Sequence, residues 1–302
     1  MGKWSSGASG DGSAHKYVLQ TPAFRTAVIV KPCRHIYLSP HLDDAVLSCG
    51  GMIHRLSEGG HPVMVLSVFT SGPSSEEEIS PHAEHLLQLW RLTSKGYSQR
   101  KAEDRNALKM IGAEHLWLDY RDSIFRRNAG TEAEWNYSSE EEVFGSLLDE
   151  ERSLAEAIAT RICGELDLDS PAEAENVVFY SPLGIGGHVD HQLVAMAGNL
   201  LAASGYRVVF YEDYPYCDPD YRTQLAPELL EGREYDPASM IPGVVLDVVQ
   251  LDPSNVEAKI RGVRAYLSQV PVLFDSDEDM VEKVGRVGEE RLWSPSDAHA
   301  PE

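Results

Sequence analysis

His35-Ile36-Tyr37-Leu38-Ser39-Pro40-His41-Leu42-Asp43-Asp44 reads as a short buried strand, carried by Ile36 and Leu38, that runs straight into a histidine and two adjacent carboxylates. A helix is predicted directly after it, from Asp44 to Glu58, with Val46, Leu47, Ile53 and Leu56 on its apolar face. Asp43 or Asp44 can cap its start, and Gly59-Gly60 closes it. Val63 to Phe69 then forms a continuous apolar run of strand length, as expected of a strand covered on both faces.

Farther along the chain the same alternation returns. A polar stretch from Thr70 to Gln99 should hold loop and one short helix beside the site, and Arg100 to Ile111 should be helical. His115 to Asp119 reads as a third strand. Leu154, Ile158, Ile162 and Leu166 recur at helical spacing before the strand Val177 to Tyr180. Next come Gly184-Ile185-Gly186-Gly187 and a second histidine group, His188-Val189-Asp190-His191, which opens a helix reaching about Ala203. A strand from Arg207 to Tyr211 follows. The fold class is therefore α/β: a Rossmann-like, mostly parallel sheet flanked by helices, whose ligands bind beyond the C-terminal strand ends. Both histidine groups fall at such ends.

Residues 1–16, rich in Gly and Ser, read as a disordered tail, and 17–214 as the core. Residues 215–302 read as a loop-rich C-terminal extension of the same single domain, packed on the core and shaping the pocket. In that extension a strand from Val244 to Val249 and a helix near Val256 to Leu267 stand before an acidic tail.

The formal charge of −22 opposes binding to phosphate backbones, so nucleic acid is not an expected partner. No run of apolar residues is long enough to span a membrane. Four widely spaced cysteines form neither a disulfide framework nor a thiolate zinc site and fit a reducing cytoplasm. Met1-Gly2 with Ser6 matches a loose myristoylation pattern but has no second anchoring signal beside it.

Taken alone, each histidine group has an ordinary explanation as a helix cap with a buried histidine. Together they supply the donors that catalytic zinc prefers, with His41, Asp44 and His191 as the three ligands. Adjacent residues point in different directions, so Asp43 is left free to act as general base toward an attacking water. His188, kept protonated by its neighbour Asp190, would stabilise the oxyanion of a tetrahedral intermediate. Gly184 to Gly187 lacks the Lys-Ser/Thr pair of a phosphate-binding loop, and no glycine fingerprint for a dinucleotide follows the first strand.

Pro-His-Leu-Asp-Asp at 40–44 and His-Val-Asp-His at 188–191 resemble the paired signatures of the PIG-L/LmbE-like zinc-dependent N-deacetylases. The resemblance spans about residues 35 to 214 and implies removal of an acyl group from an amino-sugar derivative. It implies the same roles: His41, Asp44 and His191 as ligands of Zn2+ or another divalent transition metal, Asp43 as base, and His188 as oxyanion stabiliser. Arg100-Lys101-Ala102-Glu103 and Tyr120-Arg121-Asp122-Ser123 resemble two further family segments, which makes Arg100 and Asp122 candidate substrate contacts. Leu42 and Ala45 depart from the commoner Pro-His-Pro-Asp-Asp-Glu form without removing a ligand. The expected function is deacetylation of a small-molecule amino sugar or its glycoside. The rivals are an amidase acting on a thiol-bearing pseudodisaccharide conjugate and a non-catalytic sugar-binding protein.

Overall fold

The computed structural model describes residues 33–74, 77–92, 96–127, 135–221, 241, 243–286 and 288–295. The expected N-terminal tail and the myristoylation pattern lie outside the described residues. The first strand, β1 (Arg34–Ser39), is buried on both faces, with Ile36, Tyr37 and Leu38 fully enclosed. It pairs in parallel with β2 (Val63–Ser71) on one side and with β4 (Val177–Pro182) on the other, while β3 (Glu114–Arg121) extends the sheet beyond β2 and β5 (Val208–Tyr211) beyond β4.

The strand order β3-β2-β1-β4-β5, continued by β7 (Glu289–Pro295) and β6 (Val244–Gln250), reverses direction between β1 and β4. At that reversal the crossovers diverge to opposite faces and leave a crevice beyond the strand ends, where a doubly wound sheet binds its ligand. Both histidine groups leave the sheet there.

Helices cover both faces. α1 (Asp44–Glu58), α3 (Gly96–Met110), α7 (Pro253–Arg264) and α9 (Asp277–Arg286) bury Val46, Ile53, Leu108, Val263 and Met280 against the Tyr37 side of the sheet. α2 (Pro81–Leu89), α5 (Arg152–Glu165) and α6 (Val189–Ala203) bury Leu87, Ile158 and Leu193 against the Ile36 and Leu38 side. Two short helices, α4 (Glu140–Val143) and α8 (Val270–Leu273), lie near the strand ends.

α1 occupies the residues that its apolar spacing predicts and α6 those expected after the second histidine group, whereas α3 starts four residues before Arg100. The C-terminal part departs most from expectation. In place of an acidic tail it supplies α8, α9 and a strand, β7 (Glu289–Pro295). β7 runs antiparallel between β5 and β6 (Val244–Gln250) and pairs Leu292 with Tyr211 and Trp293 with both Phe210 and Leu246.

A buried ion pair ties β7 to α1. The backbone of α1 leaves helical geometry at Cys49 (φ −127°, ψ 15°). The N–H groups of Gly51 and Met52 turn to Glu290, donating to its carboxylate at 2.9 and 2.8 Å. Lys259 Nζ donates to the Ser48 carbonyl at 3.1 Å and to Glu290 at 2.9 Å. The backbone groups that the kink frees are thus satisfied from the C-terminal segment. A Cβ at Gly51 would stand 2.5 Å from Leu251 Cδ1 and 3.2 Å from Glu290 Oε1, so the Leu251 side chain would have to shift to admit one.

Candidate active site

The loop after β1 is fastened by Ser39, whose hydroxyl donates to the His41 carbonyl at 2.6 Å and accepts from the Ala45 N–H at 3.0 Å. Ser39 thereby does the capping that the sequence suggested for Asp43 or Asp44. Asp43 holds the N-cap position of α1 but makes no capping bond, so both carboxylates face the crevice.

Asp44 Oδ2 is the meeting point. It accepts from the His41 backbone N–H at 2.7 Å and lies 3.1 Å from His41 Nδ1 and 3.3 Å from His191 Nε2. His191 Nε2 is buried and has no hydrogen-bond partner. His41, Asp44 and His191 can each offer a donor atom, with all three within 4.8 Å of one another; His41, His188 and Asp190 form a second such group.

The outward nitrogen of each imidazole meets a carboxylate. His41 Nε2 lies 3.0 Å from Asp190 Oδ2, and His191 Nδ1 lies 2.7 Å from Asp213 Oδ1. A carboxylate behind a histidine fixes its tautomer and aims the other nitrogen's lone pair inward, as in histidines that bind metal. The orphaned His191 nitrogen, the mixed His and Asp donors and these two rear carboxylates fit a divalent transition-metal ion, with His41, Asp44 and His191 as the residues that would hold it.

Burial and charge oppose each other throughout this centre. Burial alone would lower the His41 imidazole, but its contacts with Asp190 and Asp44 hold it well above its usual range. Burial likewise works against the charged form of His191, yet Asp44 and Asp213 bring it up to about 9. Burial would raise Asp44, but the two histidines hold it well below the normal carboxylate range. Asp43 moves the other way: burial raises its carboxyl, Asp44 adds to this, and the nearby Arg100 only partly offsets it. A buried carboxyl with raised proton affinity beside three converging donors is suited to proton transfer.

His188 caps α6, its Nδ1 accepting from the Asp190 backbone N–H at 3.1 Å. Its proton affinity is held well below normal by burial and then by His41. The expected salt link to the Asp190 carboxylate does not form, because that carboxylate accepts from the Ser123 N–H at 3.0 Å, contacts His41 and pairs with Arg126. His188 is therefore a neutral imidazole whose Nε2–H is the available donor.

Arg100 is buried, donates to Asp43 at 3.3 Å and lies 5.1 Å over the Trp90 ring and 5.4 Å over Tyr97. Asp122 accepts from the Tyr97 hydroxyl and the Ile124 N–H and lies 3.9 Å from His41 Nε2. A cavity of about 330 Å³ brings His41, Asp43, Asp44, His188, Arg100 and Asp122 together, walled by Trp90, Phe144, Tyr216 and Leu273. The sequence reading missed Asp213 and Arg126. For Asp213 a signal was present, since it stands two residues beyond an apolar strand, at the same sheet end as the two histidine groups.

The family model for GlcNAc-PI de-N-acetylases (PIG-L) matches residues 36–201, more than half of the chain. The chain belongs to this family. The PIG-L member is 31% identical over 194 residues to the 2'-N-acetylparomamine deacetylase of Niallia circulans, an alignment covering 60% of this chain and 66% of that protein, just under two thirds of its length. It is 28% identical over 274 residues to the enzyme of the same name from Streptomyces fradiae, with 88% and 83% covered. Among solved structures, the zinc-inhibited form of a teicoplanin deacetylase shares its fold at a TM-score of 0.66 and 24% identity, covering 86% of this chain and 97% of that one. The fold also matches an A40926 pseudoaglycone deacetylase at a TM-score of 0.63 and 23% identity, with 87% and 96% covered. No helix among the described residues of the PIG-L member is long and apolar enough to cross a membrane.

Proposed function

We propose that this chain is a zinc-dependent N-deacetylase that hydrolyses the acetamide of an N-acetylated amino sugar carried in a small glycoside, giving acetate and a free amine. The observation that carries this reading is the division of labour at the crevice. His41, Asp44 and His191 converge as donors, while Asp43, buried beside them with raised proton affinity, is free of that convergence and faces the cavity.

Zinc, when bound by these three residues, supplies Lewis acidity toward the amide oxygen and makes water a stronger acid. Asp43 takes the proton of the attacking water as its oxygen adds to the carbonyl carbon. The His188 Nε2–H is a donor for the carbonyl oxygen as negative charge develops there. When the C–N bond breaks, Asp43 returns the proton to the departing nitrogen, so the amine leaves neutral, and the acetic acid formed gives up its hydroxyl proton to solvent to leave as acetate. Arg100, held over Trp90, limits how far Asp43 can turn, and Asp122 presents a carboxylate to sugar hydroxyls in the same cavity.

The test is acetate release by the zinc-loaded chain from a panel headed by 2'-N-acetylparomamine, with simple N-acetylglucosaminides and a thiol-bearing pseudodisaccharide conjugate beside it. Chelation should abolish turnover and zinc should restore it. Asp43→Asn should keep its zinc and lose about 10²- to 10⁴-fold in kcat. Turnover of the conjugate alone would move the enzyme to the amidases. Full activity of Asp43→Asn would overturn the assignment of the base.

A further inference from the structure

The rear support of His41 does not end at Asp190. Asp190 is fully buried, and a carboxylate in that position needs compensation from more than one neutral N–H. Arg126, itself buried, pairs with Asp190 Oδ1 through Nη1. The opposite edge of the same guanidinium grips Glu151 with two bonds, Nε at 2.7 Å and Nη2 at 3.0 Å. Glu151 is fixed in turn by the Asn136 amide at 2.7 Å and the Tyr137 hydroxyl at 2.8 Å. Arg126 also donates to the Arg121 carbonyl at 3.2 Å and lies 5.1 Å from the centre of the Phe69 ring and 5.5 Å from that of Tyr137. Every edge of the guanidinium is engaged.

Glu151, Arg126 and Asp190 alternate in sign, and Asp190 in turn meets His41, which faces Asp44 and His191. Without Arg126, two buried carboxylates would be left uncompensated, and Asp190 would be held by the Ser123 N–H and His41 alone. Only a planar fork can serve two carboxylates on opposite edges, which a lysine ammonium does not reproduce.

We infer that Arg126, braced by Glu151, is a positioning residue that sets the orientation of the His41 imidazole through Asp190 and so sets the metal affinity of the centre. This rests on the reading of His41, Asp44 and His191 as ligands. The relay acts through space: Arg126 lies just past the 3₁₀ turn Ser123–Phe125, and Glu151 immediately precedes α5. On the far side, Arg126 and Glu151 line a surface groove of about 700 Å³, so the brace reaches from solvent to the ligand set.

The test measures zinc affinity by competition with a chelator of known strength, on full-length chains whose folding is checked by urea denaturation. Arg126→Met should weaken zinc by about 10- to 100-fold, the range for groups that orient a ligating histidine. Arg126→Lys should fall between it and the wild type, and Glu151→Gln should show a smaller loss. If Arg126→Met does not fold, Arg126→Lys decides. On an Asp190→Asn background, Arg126→Lys should cause little further loss, because its route to His41 is already cut. Wild-type zinc affinity in both Arg126→Lys and Glu151→Gln would overturn the relay while leaving the ligand assignment intact. Losses that multiply fully on the Asp190→Asn background would also overturn it. A wild-type chain that binds no divalent ion would overturn the ligand reading, and the relay with it.

Discussion

Replacing Lys259 with Met tests how the C-terminal segment holds α1, the helix that presents Asp43 and Asp44. Lys259 and Glu290 are each about 2% exposed, so the substitution removes the one cation that pairs with the buried Glu290 carboxylate among the described residues. Removing one partner of such a pair costs about 3–5 kcal/mol. The Ser48 carbonyl loses its donor in the same step, because the Met52 N–H that would otherwise return to it is bonded to Glu290. Replacing both residues by Met should not restore stability, although exchanging a simple buried ion pair for apolar side chains is often neutral. Here the kink would leave the Gly51 and Met52 N–H groups and the Ser48 carbonyl without partners, at about 1–3 kcal/mol for each buried group. The double variant should therefore remain at least about 3 kcal/mol below the wild type. Urea unfolding with an unchanged m-value is the assay, and the single variant should melt roughly 6–20 °C lower. A single-variant loss under about 1 kcal/mol, or a double variant as stable as wild type, would refute the account of the kink.

Asp213→Asn keeps the size of the side chain but removes the charge behind His191, and zinc affinity measured by chelator competition should fall by about 10- to 100-fold. Gly186→Ala places a Cβ at φ +93° only 2.6 Å from Tyr216 Cγ. It should cost about 1–3 kcal/mol in urea unfolding and raise KM, since Tyr216 walls the cavity. Asp104 is raised to about 7 by burial, against the hydrogen bonds it accepts from Trp117 and Tyr266. Its folded form holds the proton more tightly than the unfolded chain, so its contribution to stability is complete below the ordinary carboxylate range and is lost as pH rises through about 7. The stability of wild type relative to Asp104→Asn, compared by denaturation at pH 5 and pH 8, should fall at the higher pH; an equal difference at both would contradict this.

What could be read from the sequence was what obeys local periodicity. Residues 63–69 read as a continuous apolar run and residues 35–39 as a short buried strand carried by Ile36 and Leu38, and α1 carries an apolar stripe with clear ends. The convergence of His41, Asp44 and His191 was legible because each group ends a strand of a parallel sheet. β7 was not, because Glu290, Leu292 and Ser294 share its inward face and two of the three are polar. Glu290 is tolerated there only because Lys259 and the kinked α1 satisfy it, which no local pattern reveals. The brace from Glu151 to His41 escaped for the same reason, since its members meet only in the folded chain. The role of Asp190 was misread because its sequence neighbour His188 was taken for its partner, when the carboxylate turns the other way.

The place of β7 also sets an order of events during synthesis. The five parallel strands leave the ribosome first, with β5 as an open edge and the kink in α1 unsatisfied, and both stay so until residues 289–295 emerge. An unpaired strand edge is a template for association with other chains, so the nascent protein passes through a stage in which its core is nearly complete but adhesive. Arrest or truncation before Glu289 should accordingly yield chaperone-bound or aggregated material, with the segments bearing His41 and His191 already made but α1 not yet anchored.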